Sequence, residues 1–207
     1  MNSKFKICNV SDKHQAFVWL PMKTASSTLS WILAHFDFKK IKYNEENFAS
    51  LIEDDVTHFG HHTDIPPHSE NMLLLCSIRN PYERFFSFFK MGLLKDKTKI
   101  TQENFDKFLE NELFTHRSFL YESASIFEKR KPDFIIRTEN IYADLIEIPF
   151  IRDSKLNTCG ILEEMCEKKI NKTFDTEYES FYNQNYKSII NELFSSHFEY
   201  GRYKKIN

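Results

Sequence analysis

Three short apolar runs, each next to a helix-like stretch, constrain this chain more than any other feature. Ala16-Phe17-Val18-Trp19-Leu20 is rich in β-branched and aromatic residues. It is followed by a small, hydroxyl-bearing segment and then by the apolar stretch Leu29 to Phe36, which reads as strand, loop and helix. A second unit begins at Met72, where the run to Ile78 ends in Arg79-Asn80-Pro81-Tyr82-Glu83. Asn80 suits a helix N-cap, Pro81 the first helical position and Glu83 the capping-box position, so a helix is expected from Pro81 to about Met91. A third strand is expected at Asp133-Phe134-Ile135-Ile136-Arg137, after a helix ending near Lys129 to Pro132. Strands that alternate with helices imply an α/β fold with a central parallel sheet and helical layers on its two faces. From Glu163 onward the chain reads as mainly helical, with Gly201 closing the last helix.

The chain has 207 residues, the size of one compact domain, and neither a repeat nor a Pro/Gly-rich linker divides it. The expectation is a single domain over 1–207. Four glycines in all argue against a flexible hinge, and twenty-one phenylalanines point to an aromatic core. Lys plus Arg number 28 against 30 Asp plus Glu, a net charge of -2, which excludes the broad basic field of a general nucleic-acid binder. An anionic small molecule would need only a local positive site. The longest apolar runs, such as Met72 to Cys76, fall far short of the roughly 20 residues that cross a bilayer. The residues after Met1-Asn2-Ser3-Lys4 lack the apolar stretch of a secretory leader, so a soluble, cytoplasmic protein is expected. Cys8, Cys76, Cys159 and Cys166 form no CxxC pair, which disfavours zinc and a disulfide framework. Free thiols are expected, and Cys159 and Cys166 would pair only in an oxidising compartment.

The chemistry concentrates in two strand-to-helix turns. Lys23-Thr24-Ala25-Ser26-Ser27-Thr28 follows the first strand and opens a helix, where backbone N–H groups and the helix dipole favour an anion. The hydroxyls of Thr24, Ser26, Ser27 and Thr28 would add donors, and Lys23 would neutralise charge on a leaving phosphate. The plainer alternative is an ordinary Ser/Thr-rich helix start, with one hydroxyl as cap and Lys23 solvated. Arg79 ends the second strand, and Ser87 lies two turns into the helix that follows. Neighbouring parallel strands carry such turns at one sheet edge, where α/β folds bind ligands. Here the alternative is a surface ion pair for Arg79 and a helix-face filler for Ser87.

Together the strings Pro21-Met22-Lys23-Thr24-Ala25-Ser26-Ser27-Thr28 and Ile78-Arg79-Asn80-Pro81-Tyr82-Glu83-Arg84-Phe85-Phe86-Ser87 resemble the 5′-phosphosulfate and 3′-phosphate motifs of sulfotransferases that use 3′-phosphoadenosine 5′-phosphosulfate (PAPS). The likeness is greatest to the carbohydrate branch, including the heparan sulfate 2-O-sulfotransferases. Phe134 to Ile141 is similar to the family's strand and E-[DN]-L turn, and Phe194 to Tyr203 to its C-terminal helix end. The resemblance implies a P-loop-NTPase-like sulfotransferase fold. It also implies that Lys23, Thr24, Ala25, Ser26, Ser27 and Thr28 hold the phosphosulfate while Arg79 and Ser87 hold the 3′-phosphate. Met22 stands between Pro21 and Lys23, and Ala25 occupies a position where the family more often has glycine.

Sulfuryl transfer to a hydroxyl needs a base, and histidine titrates near neutrality. His58-Phe59-Gly60-His61-His62 precedes the second strand. In the 2-O-sulfotransferases an H-G-H segment at this place supplies the base, which by resemblance assigns that role to His61, with His62 and His58 as alternates. The competing readings are surface histidines and a metal site. The family needs no metal, so none is expected. Product release would yield 3′-phosphoadenosine 5′-phosphate (PAP), and the acceptor would be a glycan, lipid or small metabolite. Lys95, Lys97, Lys99 and Arg117, between Leu93 and Ser118, would suit an acidic sugar or form a solvated face. The rival functions are a P-loop-type nucleotide kinase, which the chain's lack of a G-x-x-x-x-G-K-[ST] string disfavours, and a non-catalytic PAP/PAPS-binding protein.

Overall fold

The structure, a computed structural model, describes residues 6–43, 50–51, 70–96, 100–114, 126–168 and 178–206. The three apolar runs are strands: β2 (Ala16–Trp19), β5 (Leu73–Ile78) and β6 (Phe134–Arg137). They pair in parallel, with Trp19 opposite Cys76 and Ile78 opposite Arg137. Three further strands, β1 (Lys6–Ser11), β3 (Lys39–Tyr43) and β4 (Ser50–Leu51), extend the sheet to the order β4-β3-β1-β2-β5-β6.

The sheet is therefore mixed, not the wholly parallel sheet expected from the sequence. β1 runs antiparallel to both β2 and β3. The reason is local: β1 and β2 are joined by Asp12–Gln15 alone, and a connection that short returns the chain antiparallel because a parallel crossover needs a dozen or more residues. Gln15 completes the turn at φ 45, with its N–H donating to Asp12 O.

The chain packs into two compact units, Met1–Ile78 with Glu128–Asn171, and Arg79–Phe127 with Lys172–Asn207. In the first, Ala16, Val18 and Leu20 meet Leu75 and Ile136 beneath α1 (Ser26–Ala34), which contributes Leu29, Ile32 and Leu33. Phe17 and Trp19 on the other face of β2 are buried as well, which is why this strand reads as an unbroken apolar run.

The second unit is built on α2 (Pro81–Asp96) and α3 (Gln102–Phe114) with the C-terminal helices Gln184–Leu193 and Ser195–Gly201. Tyr82, Phe85, Phe86 and Phe89 recur at the spacing that places them on one face of α2. They meet Phe105, Leu109 and Leu113 of α3, together with Tyr182, Tyr186, Phe194 and Phe198. Phe105 makes edge contacts with Phe86, Phe89 and Tyr182 at centroid distances of 5.0–5.6 Å. The phenols remain satisfied: Tyr182 donates to Tyr82 O at 2.7 Å and Tyr82 to Asn191 Oδ1 at 2.8 Å. Gly201 ends the last helix, but Arg202 takes the left-handed conformation, at φ 55. A Cβ at 201 would lie 2.1 Å from the Tyr203 ring, so any larger residue there would displace that ring from its seat on the helix end.

Among the described residues no helix is long and apolar enough to cross a membrane, and no group of three or more His, Cys, Asp or Glu is placed to hold a metal ion. Cys159 and Cys166 form no disulfide.

His197 is 1% exposed in the second unit, with both ring nitrogens lacking a hydrogen-bond partner. Phe127 and Phe194 flank it edge-on at 4.7 and 5.2 Å. Burial, and then the charge of Arg84, hold its pKa well below 6.5. The unfolded chain therefore binds a proton at this residue that the folded chain excludes. Stability from this source is complete above pH 6.5 and is lost as pH falls below it, by at most about 1.4 kcal/mol per unit. Denaturant unfolding at several pH values between 7.5 and 5 should show this slope in the native protein and a flatter one in His197→Phe. Equal slopes in the two proteins would mean that another group governs acid sensitivity.

Candidate functional site

Between β2 and α1 the chain turns through Leu20 to Ala25 with two non-glycine residues in the left-handed region, Lys23 at φ 67 and Ala25 at φ 57. Each L-residue there costs roughly 1–2 kcal/mol from Cβ crowding. The position where the resemblance places a commoner glycine is thus one that needs positive φ. Ala25 supplies it under strain.

What holds the loop is a buried hydroxyl pair. Thr24, 0% exposed, donates Oγ1–H to Pro21 O at 2.7 Å, and its Oγ1 lies 2.6 Å from Ser77 Oγ of β5. A hydroxyl has one proton. With that of Thr24 committed to Pro21, the bond to Ser77 is donated by Ser77. The Thr24 side chain has no proton left for an anion, and its expected role as a hydroxyl ligand is replaced by a structural one. Ser77 was missed in the sequence, although a lone hydroxyl inside the apolar run Leu73–Ile78 is a visible irregularity.

α1 starts without a side-chain cap. Its N-cap residue is Ala25, no acidic residue occupies the first turn, and the first intrahelical bond is Leu29 N–H to Ala25 O at 3.0 Å. The amides of Ser26, Ser27 and Thr28 precede that bond, and the first turn places no carboxylate of its own against the helix dipole. The plainer expectation, that one hydroxyl caps this helix, does not describe it. Ser26 and Ser27 are half-buried and Thr28 is 3% exposed, while Lys23 is half-buried.

At the end of β5, Thr138 donates both its N–H and its hydroxyl to Ile78 O, at 2.9 and 3.0 Å, fixing the strand end to the turn after β6. Asp144 locks that turn by accepting from Arg137 N at 2.7 Å and Arg137 Nε at 2.9 Å. The C-terminal ends of β2, β5 and β6 share one edge, the edge at which parallel α/β sheets carry ligands.

In the second unit, α2 begins as expected: Asn80 Oδ1 accepts from Tyr82 N at 3.0 Å, and Pro81 is the first helical residue. Glu83 accepts from Arg79 Nε and Nη2 at 3.2 and 3.1 Å, an i,i+4 ion pair whose side chains are 19% and 29% exposed. That pair uses one edge of the Arg79 guanidinium and leaves its remaining N–H donors outside the bond. Ser87 is 2% exposed, and its hydroxyl has no hydrogen-bond partner. Arg84, one turn before it, is 1% exposed.

His58, His61 and His62 lie outside the described residues, as do Lys97, Lys99 and Arg117. Comparison of the chain with known protein families, with curated proteins and with solved structures finds no match.

Ala25→Gly should remove one Cβ clash and raise stability by about 1 kcal/mol. Thr24→Val, which keeps shape but deletes the hydroxyl, should cost about 1–3 kcal/mol by leaving Pro21 O and Ser77 Oγ unpaired. Equilibrium denaturation reads both, and a destabilised Ala25→Gly protein would contradict the left-handed loop.

Proposed function

We propose that the chain is a PAPS-dependent sulfotransferase, transferring a sulfuryl group to an acceptor hydroxyl and releasing PAP. The observation that carries this reading is the uncapped, acid-free start of α1 behind a loop with left-handed residues at Lys23 and Ala25. Such a turn offers backbone donors to an anion without competition from its own side chains. The resemblance of the two motif strings supplies the identity of that anion. The finer fold expectation, helical layers around a P-loop-like sheet, belongs to the same proposal.

The amides of Ala25 to Thr28 and the hydroxyls of Ser26, Ser27 and Thr28 bind the phosphosulfate, with Thr24 reduced to holding the loop. Lys23 stabilises charge on the bridging oxygen as the S–O bond to the nucleotide breaks. Arg79, through the donors not engaged by Glu83, and Ser87, through its unpartnered hydroxyl, take the 3′-phosphate. The acceptor oxygen attacks sulfur in line, and its proton passes to His61 or, in its place, His62 or His58. Catalysis then rests on positioning and preorganised charge, as in phosphoryl transfer, with no metal required.

PAP and PAPS should each raise the melting temperature without Mg²⁺, and labelled PAPS should pass its sulfuryl group to a member of a hydroxyl-acceptor panel. Lys23→Ala should abolish turnover. Arg79→Ala should weaken PAP binding about 10- to 100-fold, the worth of a charge-assisted pair. His61→Ala should lower kcat with PAP affinity kept. Stabilisation by ATP with Mg²⁺ but not by PAP would instead indicate a nucleotide kinase, and PAP binding without transfer a binding protein.

A further inference from the structure

A cavity of about 320 Å³ opens in the first unit among the β1–β2 turn, the residues after α1 and the short helices Pro149–Arg152 and Lys155–Thr158. It lies at the start of β2, the opposite end of that strand from the Lys23 loop. Its volume is within the range that holds small organic ligands.

Two features of its lining belong together. His14 and Phe150 stack with ring centroids 4.0 Å apart and planes 9° from parallel, so the wall contains a flat aromatic pair. Burial, followed by the charge of Lys13, lowers the His14 pKa from 6.5 and keeps the ring neutral near pH 7, available for stacking and for one N–H donor. The charges around this pair do not cancel. Lys13 is bound to Asp37 at 2.7 Å, which neutralises the one carboxylate among the described residues that line the cavity. Lys155 is exposed and has no ion-pair partner among the described residues, so it leaves one positive charge at the rim. His35, held through Nδ1 against Trp31 O at 3.0 Å, adds a second imidazole to the lining.

We propose that this cavity is a binding site for a flat aromatic ring bearing a single carboxylate or phosphate, with the ring against the His14–Phe150 pair and the anion on Lys155. A flat ring gains dispersion and quadrupole contact at the stacked wall that a puckered ring of equal size does not. The anion gains a charged partner that no carboxylate already occupies. The site is independent of the sulfotransferase reading.

The probe is indole-3-carboxylate, titrated into the whole chain by calorimetry and by amide chemical shifts, with indole, cyclohexanecarboxylate and phenyl phosphate in parallel arms. Indole-3-carboxylate should bind one site and shift the amides of His14, Lys155 and Leu156. Indole and cyclohexanecarboxylate should each bind at least about tenfold more weakly. The phenyl phosphate arm decides between the anions, since tighter binding than indole-3-carboxylate assigns phosphate and weaker binding assigns carboxylate. Lys155→Glu, a surface change that leaves the core intact, should reduce affinity at least about tenfold, as should His14→Ala. His14→Phe, which preserves the ring pair, should keep most of the binding, and Lys23→Ala should keep all of it. Equal binding of cyclohexanecarboxylate, an unaffected Lys155→Glu protein, or loss of binding in Lys23→Ala would each overturn the proposal.

Discussion

The hydrogen-bonded pair of Thr24 and Ser77 is the constraint on which the candidate site depends. It joins the turn after β2 to the neighbouring strand β5 through two hydroxyls sealed from water, and the short bond from Thr24 to Pro21 O closes the turn on itself. Inside a protein, leaving either hydroxyl unpaired costs more than the net worth of the bond, so the pair permits essentially one loop conformation. That conformation forces Lys23 and Ala25 into the left-handed region. The strain is local, and the clasp acts together with the β2–β5 ladder beside it to hold the turn in place.

Neighbouring hydroxyls of this loop have separate roles. In a motif of four, Thr24, Ser26, Ser27 and Thr28 look interchangeable as anion donors. Proton counting removes Thr24, because its one donor is spent. The backbone of the first helical turn becomes the stronger candidate for anion contact, since its N-cap residue offers those amides no side-chain cap and the turn itself holds no acidic residue. On the second turn the ion pair of Arg79 with Glu83 works in both directions. It orients the guanidinium, and it places a carboxylate whose repulsion any bound phosphate must overcome.

Legibility followed the range of the interactions. β2, β5, β6 and the start of α2 could be read because each rests on local signals: short apolar runs, buried throughout in β2 and nearly so in β5, and the Asn-Pro helix start realised by the Asn80 bond to Tyr82 N. β1 and β3 were not readable in the same way. β1 carries Lys6, Asn9 and Ser11 among its apolar residues, and β3 has three lysines in five positions, so neither forms an apolar run. The mixed sheet follows from these two strands. In the site, the motif strings were visible, but the Thr24–Ser77 bond spans fifty-three positions and depends on the β2–β5 pairing. The burial of His197, in a stretch read only as a helix end, likewise depends on tertiary packing.

Low glycine content links the two units' solutions to a common limitation. With four glycines in the chain, sharp backbone geometry at Gln15, Lys23, Ala25, Asp37 and Arg202 is met by residues that resist it. Such residues restrict the unfolded chain more than glycine does and lose less entropy on folding, which partly offsets the Cβ strain. The gain is rigidity where a turn must stay in place, and at Ala25 that turn presents the first amides of α1. A glycine there would fit the left-handed region with less strain but would widen the set of conformations open to the loop. For a site that would act through preorganised backbone dipoles, a strained alanine held by a buried hydroxyl clasp is therefore a coherent alternative to glycine.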